Sequence, residues 1–151
     1  MRAAIVLLAA VLLAGCTGGG GEPEVRLTAD DWMRQADRIC AEYEGRLDRL
    51  AQADDLEGLA RMAAEAEPIA EEGLDALRRL EPPEELEERA DEWLARNAEN
   101  VRAIGELRAA AEAGDETRVQ ELASAAVDNE AAADRLASEL GLEDCAATDE
   151  G

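Results

Sequence analysis

Apolar residues recur at steps of three and four along four long segments of this chain, and this spacing constrains its fold more than any other feature. Residues three or four positions apart lie on the same face of an α-helix, so each segment predicts an amphipathic helix. Phenylalanine is absent and β-branched residues are few, which leaves little material for strands. The chain is therefore predicted to be all-α.

Helix breakers and capping residues divide the chain into these four helices. Thr28 stands three residues before Asp31, which is the spacing of a capping box. Asp54 is expected to cap the second helix and Asp115 the fourth. Prolines or glycines stand at the other boundaries, so we expect the helices at residues 28–53, 54–80, 83–113 and 115–140. Because the connections are short and the helices similar in length, the sequence predicts an antiparallel up-down-up-down four-helix bundle.

The first fifteen residues have the pattern of a lipoprotein signal peptide. Arg2 is followed by an apolar run from 3 to 14, which as a helix would reach only about 18 Å and would not span a membrane. The tetrapeptide LAGC, which ends at Cys16, resembles the lipobox of bacterial lipoproteins, whose cysteine receives a diacylglycerol. We therefore expect residues 1–15 to be removed, Cys16 to be lipidated and residues 16–27 to form a Gly-rich tether. The expected location is the extracytoplasmic face of the bacterial cell membrane.

The remaining two cysteines predict one disulfide. With Cys16 lipidated, Cys40 and Cys145 form a single pair outside the cytoplasm, where paired thiols usually oxidise. Two unrelated buried thiols are the alternative. In the predicted topology the fourth helix ends beside the start of the first, and five residues beyond Leu140 suffice to reach Cys40. Residues 28–145 are thus expected to form the bundle, with its end folded back along the first helix, and residues 146–151 a disordered tail.

Charge and composition exclude several functions. The mature chain would carry 14 arginines against 37 acidic residues, a net charge of −23, which disfavours nucleic acid and anionic lipid surfaces. Membrane contact is therefore expected through the lipid on Cys16. Histidine and lysine are absent and serine occurs only at Ser124 and Ser138, which removes the usual general base and most nucleophiles. We expect no catalytic site, no cofactor and no metal centre.

Two irregularities in the helices point to a ligand site. Pro68 lies in the middle of the second helix, where it is expected to kink or split the helix and open a pocket. Asn129 interrupts the apolar face of the fourth helix. A bend that follows the curvature of the bundle and a polar residue that sets the helix register are the alternatives. The candidate pocket would be lined by Trp32, Tyr43 or Trp93, although both tryptophans also suit the core.

Five short motifs extend over nearly the whole mature chain: the lipobox, ADRIC at 36–40, LEPP at 80–83, Gly114-Asp115, and LGLEDC at 140–145. Together they make the chain resemble small secreted helical lipoproteins of actinobacterial type. The resemblance implies a bundle, a disulfide and an extracytoplasmic location, and it implies no activity.

Two functions are compatible with these expectations. The first is a non-enzymatic interaction module that is tethered to the membrane and docks on another envelope or secreted protein. The alternative is a module that binds a small ligand or cation between helices near Pro68 and Asn129. An apolar, partly open pocket would favour ligand binding, whereas a sealed core would favour the interaction module.

Overall fold

The structure, a computed structural model, describes residues 26–146. Within them four helices follow one another: α1 (Ala29–Leu47), α2 (Leu56–Arg78), α3 (Glu87–Glu112) and α4 (Glu116–Leu140). The predicted all-α bundle is confirmed. The predicted signal peptide, the lipidated Cys16 with nearly all of the tether, and the last five residues of the tail lie outside the described residues.

Side-chain caps begin three of the four helices. The hydroxyl of Thr28 accepts a hydrogen bond of 3.2 Å from the backbone N–H of Asp31, so the predicted cap of α1 is confirmed. Asp115 caps α4 as predicted. The cap of α2 is Asp55 and not Asp54, because the carboxylate of Asp55 accepts from the N–H of Gly58 at 2.7 Å.

The helices are shorter than the sequence pattern predicts at two boundaries. α1 ends at Leu47 rather than near residue 53, and the N–H of Leu50 donates to the Leu47 carbonyl in a tighter turn. α3 begins at Glu87 rather than Pro83, because the N–H of Leu86 donates back to the Pro83 carbonyl and the intervening residues form a turn. Apolar periodicity does not distinguish such turns from a continuing helix.

α2 runs without interruption through Pro68, so the expected split of this helix does not occur. Proline removes the hydrogen bond that would reach the carbonyl of Ala64. Both Ala64 and Pro68 are exposed, and water can therefore hydrate the carbonyl that lacks a partner. No helix in residues 26–146 combines the length and apolar character that a membrane span needs.

Large side chains seal the end of the bundle where α1 and α3 begin. We call this the tryptophan end and define it by its core: Trp32, Ala36, Leu77, Ala90, Trp93, Ala133, Ala137, Leu140 and Leu142. The two indole rings meet edge to face, with centroids 6.4 Å apart, and each tryptophan is only 2% exposed. Alanines on three helices leave the room that these rings need, so this end is closely packed.

The segment after α4 turns back toward α1 at Gly141. Gly141 has a φ of +78°, a conformation that favours glycine, and it ends α4. The N–H of Leu142 then donates to the carbonyl of Ala137 at 2.9 Å, and the Leu142 side chain is 1% exposed. A left-handed glycine followed by a hydrophobic contact is a common way for a helix to end.

A disulfide attaches this segment to α1. Cys145 is bonded to Cys40, with the two Cα atoms 5.2 Å apart and a sequence separation of 105. The N–H of Asp144 also donates to the carboxylate of Asp37 on α1 at 3.0 Å. The predicted disulfide and the fold-back along α1 are both confirmed.

The four helices do not close the bundle evenly. Direct backbone packing joins α1 to α2, α2 to α3 and α3 to α4, whereas the other helix pairs approach each other only weakly. α1 and α4 form one of the helix pairs that pack only weakly. Exposed residues of both helices, Glu44 and Glu130, border the space between the helices, so the interior reaches water through a gap between α1 and α4.

Candidate functional site

A cavity of about 360 Å³ lies between all four helices, beside the tryptophan end. Its volume falls within the range of about 300–1,000 Å³ that is usual for small-molecule sites. Apolar side chains supply most of the lining. The helices therefore enclose a space that their side chains do not fill.

Large aliphatic side chains from α1, α2 and α3 line the cavity. Leu74 and Leu77 of α2 are buried. The other five remain partly exposed: Ile39, Leu47, Val101, Ile104 and Leu107. Most of the large aliphatic lining is therefore less buried than the core of the tryptophan end.

Small residues leave this space open. Ala70 and Gly73 of α2, Ala103 of α3 and Ala126 of α4 line the same cavity as the large aliphatic residues. Truncating a single buried leucine to alanine typically costs about 3–5 kcal/mol, because the surrounding core does not collapse into the space. A space lined by alanine and glycine therefore lacks the packing contacts that larger side chains would provide.

Tyr43 forms part of the wall because α2 carries a glycine opposite it. A Cβ atom at Gly73 would lie 3.0 Å from Cγ of Tyr43, so any larger residue would have to displace the ring. The guanidinium of Arg46 lies 4.9 Å from the centroid of the same ring, and its position is set by Glu72 at 2.8 Å. Gly73 and Arg46 together determine where Tyr43 sits.

Of the five predicted pocket residues, the structure brings two together at the cavity. Tyr43 and Trp93 line it, whereas Trp32, Pro68 and Asn129 do not. Trp32 packs against Trp93 at the tryptophan end and supports it from within the core. Pro68 is exposed, so the cavity does not open at Pro68.

Asn129 joins α4 to α3 instead of facing a ligand. Its side-chain amide donates to Oδ1 of Asn100 at 2.7 Å and to the carbonyl of Arg96 at 2.9 Å. Its own oxygen accepts from the guanidinium of Arg96 at 3.2 Å. These contacts set the register between the two helices, which is the structural alternative considered for this residue.

Two asparagines on α3 add polar groups to the apolar wall. Asn97 and Asn100 both line the cavity, and the amide of Asn97 donates to the carbonyl of Trp93 at 2.9 Å. A few polar groups in an apolar lining are typical of sites that orient a small molecule. Neither residue was predicted to line a site, although each interrupts the apolar pattern of α3.

Three carboxylates flank the gap between α1 and α4, and we call them the acidic mouth: Glu44, Glu130 and Asp134. None of the three forms an ion pair within residues 26–146. Loss of hydration raises the pKa of the Glu44 carboxyl, and the negative charges of Asp48, Asp144, Asp134 and Glu130 raise it further. Glu44 keeps contact with water on one side.

The acidic mouth does not have the geometry of a metal centre. Among residues 26–146, no group of three or more histidine, cysteine, aspartate or glutamate side chains is arranged to hold a metal ion.

In comparison with known proteins, no family model, no curated protein and no solved structure matches this chain.

Proposed function

We propose that this protein is a non-enzymatic module that binds a small, largely apolar ligand in the cavity between its four helices. The observation that carries the proposal is the unfilled volume of about 360 Å³ beside a closely packed core. An apolar, partly open pocket with Tyr43 and Trp93 in its wall is the feature that distinguishes a ligand-binding module from a sealed interaction module.

The shape of the cavity supports an elongated ligand. Its lining on α3 extends from Trp93 to Leu107, which corresponds to about 21 Å along the helix axis. An apolar body would contact the half-buried aliphatic side chains and remove them from water, which is favourable at about 25 cal/mol per Å². Asn97 and Asn100 would fix its orientation.

The proposed setting is the extracytoplasmic face of the cell membrane. With Cys16 lipidated as its sequence context predicts, a short Gly-rich tether would hold the cavity close to the bilayer. The protein would then capture its ligand at the membrane surface. Mass spectrometry of the intact protein, with Cys16→Ala as the control, tests the anchor: we expect a diacylglycerol adduct only when Cys16 is present.

Docking on another envelope or secreted protein, the first function considered from the sequence, stays a prediction. Hot spots of protein interfaces are usually apolar or aromatic anchors. Among residues 26–146 only one large hydrophobic side chain is exposed, Val127 at 63%. The cavity therefore gives ligand binding the stronger support.

A neutral apolar probe tests the ligand-binding proposal. Isothermal titration calorimetry would measure binding of 1-naphthalenemethanol to the full chain carrying Cys16→Ala. This substitution prevents lipidation and lies outside the bundle. We expect saturable binding at one site, together with a change in tryptophan fluorescence because Trp93 lines the cavity.

Two neighbouring substitutions on α4 provide the matched comparison. Ala126→Leu places a larger side chain in the cavity, whereas Ala125→Leu adds the same atoms to an exposed position. We expect at least about a tenfold loss of affinity in the first variant and little change in the second, since the added groups compete with the probe for the same volume. Absence of probe binding, or equal affinity in both variants, would contradict the proposal.

A further inference from the structure

The charges at the cavity are of one sign only. Glu44, Glu130 and Asp134 are the charged residues in its lining. Fourteen arginines lie within residues 26–146, yet none of them lines the cavity. Most of these arginines pair with acidic residues elsewhere on the surface, so arginine is available but is not used to neutralise the mouth.

The unpaired carboxylates lie where the apolar interior meets water. Glu44 projects from α1, and Glu130 and Asp134 from α4, so the two sides of the opening carry the same charge. The backbone segment that bears Asp144 is held against α1 next to them by the disulfide. Glu44 and Glu130 are exposed and Asp134 is half-buried, so a cation at the opening would be attracted by three carboxylates that stay in contact with water.

We infer that the ligand is a small organic cation whose apolar body fills the cavity and whose positive group lies at the acidic mouth. This inference rests on the proposed function and names the chemical class of the ligand. A cationic head would pair with carboxylates that have no partner within residues 26–146, and an apolar body would cover the aliphatic walls. A bare metal ion would satisfy neither the apolar walls nor the coordination that a metal requires.

Tyr43 also suits a cationic ligand. The guanidinium of Arg46 lies over the ring, 4.9 Å from its centroid, so a ligand cation would contact the part of Tyr43 that lines the cavity. Tyr43 lines the same cavity as Glu44, the next residue along α1. An aromatic wall beside carboxylates is a combination that favours organic ammonium groups over neutral ligands of the same size.

Two probes of nearly equal shape separate the contribution of charge from that of apolar contact. Calorimetric titrations of the Cys16→Ala chain would compare 1-naphthylmethylamine, a cation at neutral pH, with neutral 1-naphthalenemethanol. We expect the amine to bind about tenfold more tightly at low ionic strength, because each carboxylate at contact distance contributes several-fold in affinity. Salt should reduce this preference and leave binding of the alcohol nearly unchanged.

The variants keep the net charge matched. The mouth variant combines Glu44→Gln, Glu130→Gln and Asp134→Asn. The control combines Glu65→Gln, Glu85→Gln and Asp91→Asn, which are exposed positions outside the cavity and without ion pairs among the described residues. We expect the preference for the amine to disappear in the mouth variant and to persist in the control.

The possible outcomes distinguish the two proposals. Suppose that the alcohol binds and that the parent protein binds the amine no more tightly, or that the mouth variant still binds the amine more tightly than the alcohol. Either result overturns the cation inference, while the cavity remains a ligand site. If neither probe binds, the proposed function itself fails. Because amides are close in size to the carboxylic acids they replace, loss of folding is not expected, and circular dichroism of each variant would verify this.

Discussion

The tryptophan end and the cavity lie in the same bundle and are built from the same four helices, yet one is closely packed and the other is hollow. At the tryptophan end, two indoles and several leucines fill the space that alanines on neighbouring helices leave. At the cavity, alanines and a glycine line the same space as large aliphatic residues, most of which stay partly exposed. Similar apolar stripes on the four helices therefore pack closely at the tryptophan end and leave a cavity beside it.

This difference separates the part of the molecule that stabilises the fold from the part that is available for binding. Closely packed interiors gain dispersion and hydrophobic energy that a cavity does not provide. The disulfide lies at the junction, since Cys40 and Cys145 line the cavity and also pack against the core of the tryptophan end. Four predictions test this division, and the expected effects decrease in the order given.

Trp32→Ala should have the largest effect on stability. Trp32 is 2% exposed and packs against Trp93, so its removal leaves a large void, and we expect a loss of about 3–5 kcal/mol in the free energy of unfolding. Leu47→Ala at the cavity should cost only about 1 kcal/mol, since Leu47 is already partly exposed. Urea unfolding followed by circular dichroism measures both. Equal losses would show that the cavity wall is as important to the fold as the tryptophan end.

Removing the disulfide should have the next largest effect. Replacing Cys40 and Cys145 together by serine releases a loop of about a hundred residues, and the typical cost is about 2–4 kcal/mol. Because the disulfide also lines the cavity, the affinity for 1-naphthalenemethanol should fall in the folded variant. Lower stability with unchanged affinity would show that the segment after α4 stabilises the fold without shaping the site.

Gly73→Ala and Gly45→Ala should change stability in opposite directions, although both positions are helical. At Gly73 the new Cβ would lie 3.0 Å from Tyr43, so we expect a loss of about 1–2 kcal/mol and weaker probe binding. At Gly45 the nearest side-chain atom is 3.8 Å away, and the higher helix propensity of alanine should stabilise by up to about 1 kcal/mol. Thermal unfolding and probe titration distinguish the two. Stabilisation by Gly73→Ala would mean that Tyr43 can move without cost.

Glu44→Gln should have the smallest effect, and this effect should depend on pH. Because loss of hydration and neighbouring carboxylates raise the pKa of Glu44 in the folded protein, ionisation of Glu44 favours the unfolded chain at neutral pH. The variant should therefore be slightly more stable than the parent protein at pH 7. As the pH falls through the raised pKa of Glu44, the parent gains stability and the difference disappears.

Urea unfolding of both proteins between pH 7 and about pH 4 measures this difference, with Glu65→Gln as an exposed control on α2. At pH 7 Glu44→Gln should at the same time weaken binding of 1-naphthylmethylamine. A variant that is more stable and binds the cation less tightly would show that Glu44 serves the site at the expense of the fold. A difference in stability that persists unchanged at low pH would show that ionisation of Glu44 does not cause it.

Local signals in the sequence were sufficient for most of the fold. Thr28, Asp115 and Gly141 act through hydrogen bonds to residues close in sequence, so their roles follow from spacing alone. The C-terminal end of α1 and the start of α3 were misplaced because apolar residues continue past both boundaries into turns. For the candidate site, the aromatic residues Tyr43 and Trp93 were predictable, whereas Asn97, Asn100 and the acidic mouth were not.

The sequence by itself determined that residues 26–146 form four helices and that Cys40 pairs with Cys145, because periodicity, capping and cysteine number are properties of the chain before it folds. Only the tertiary structure decided where the interior is full and where it is empty. The volume left between four helices depends on the side chains that all four contribute at the same level, and residues such as Gly73 and Ala126 meet there only after folding. The same holds for the carboxylates of the acidic mouth, which lie on two helices far apart in sequence and share one opening because α1 and α4 stand apart.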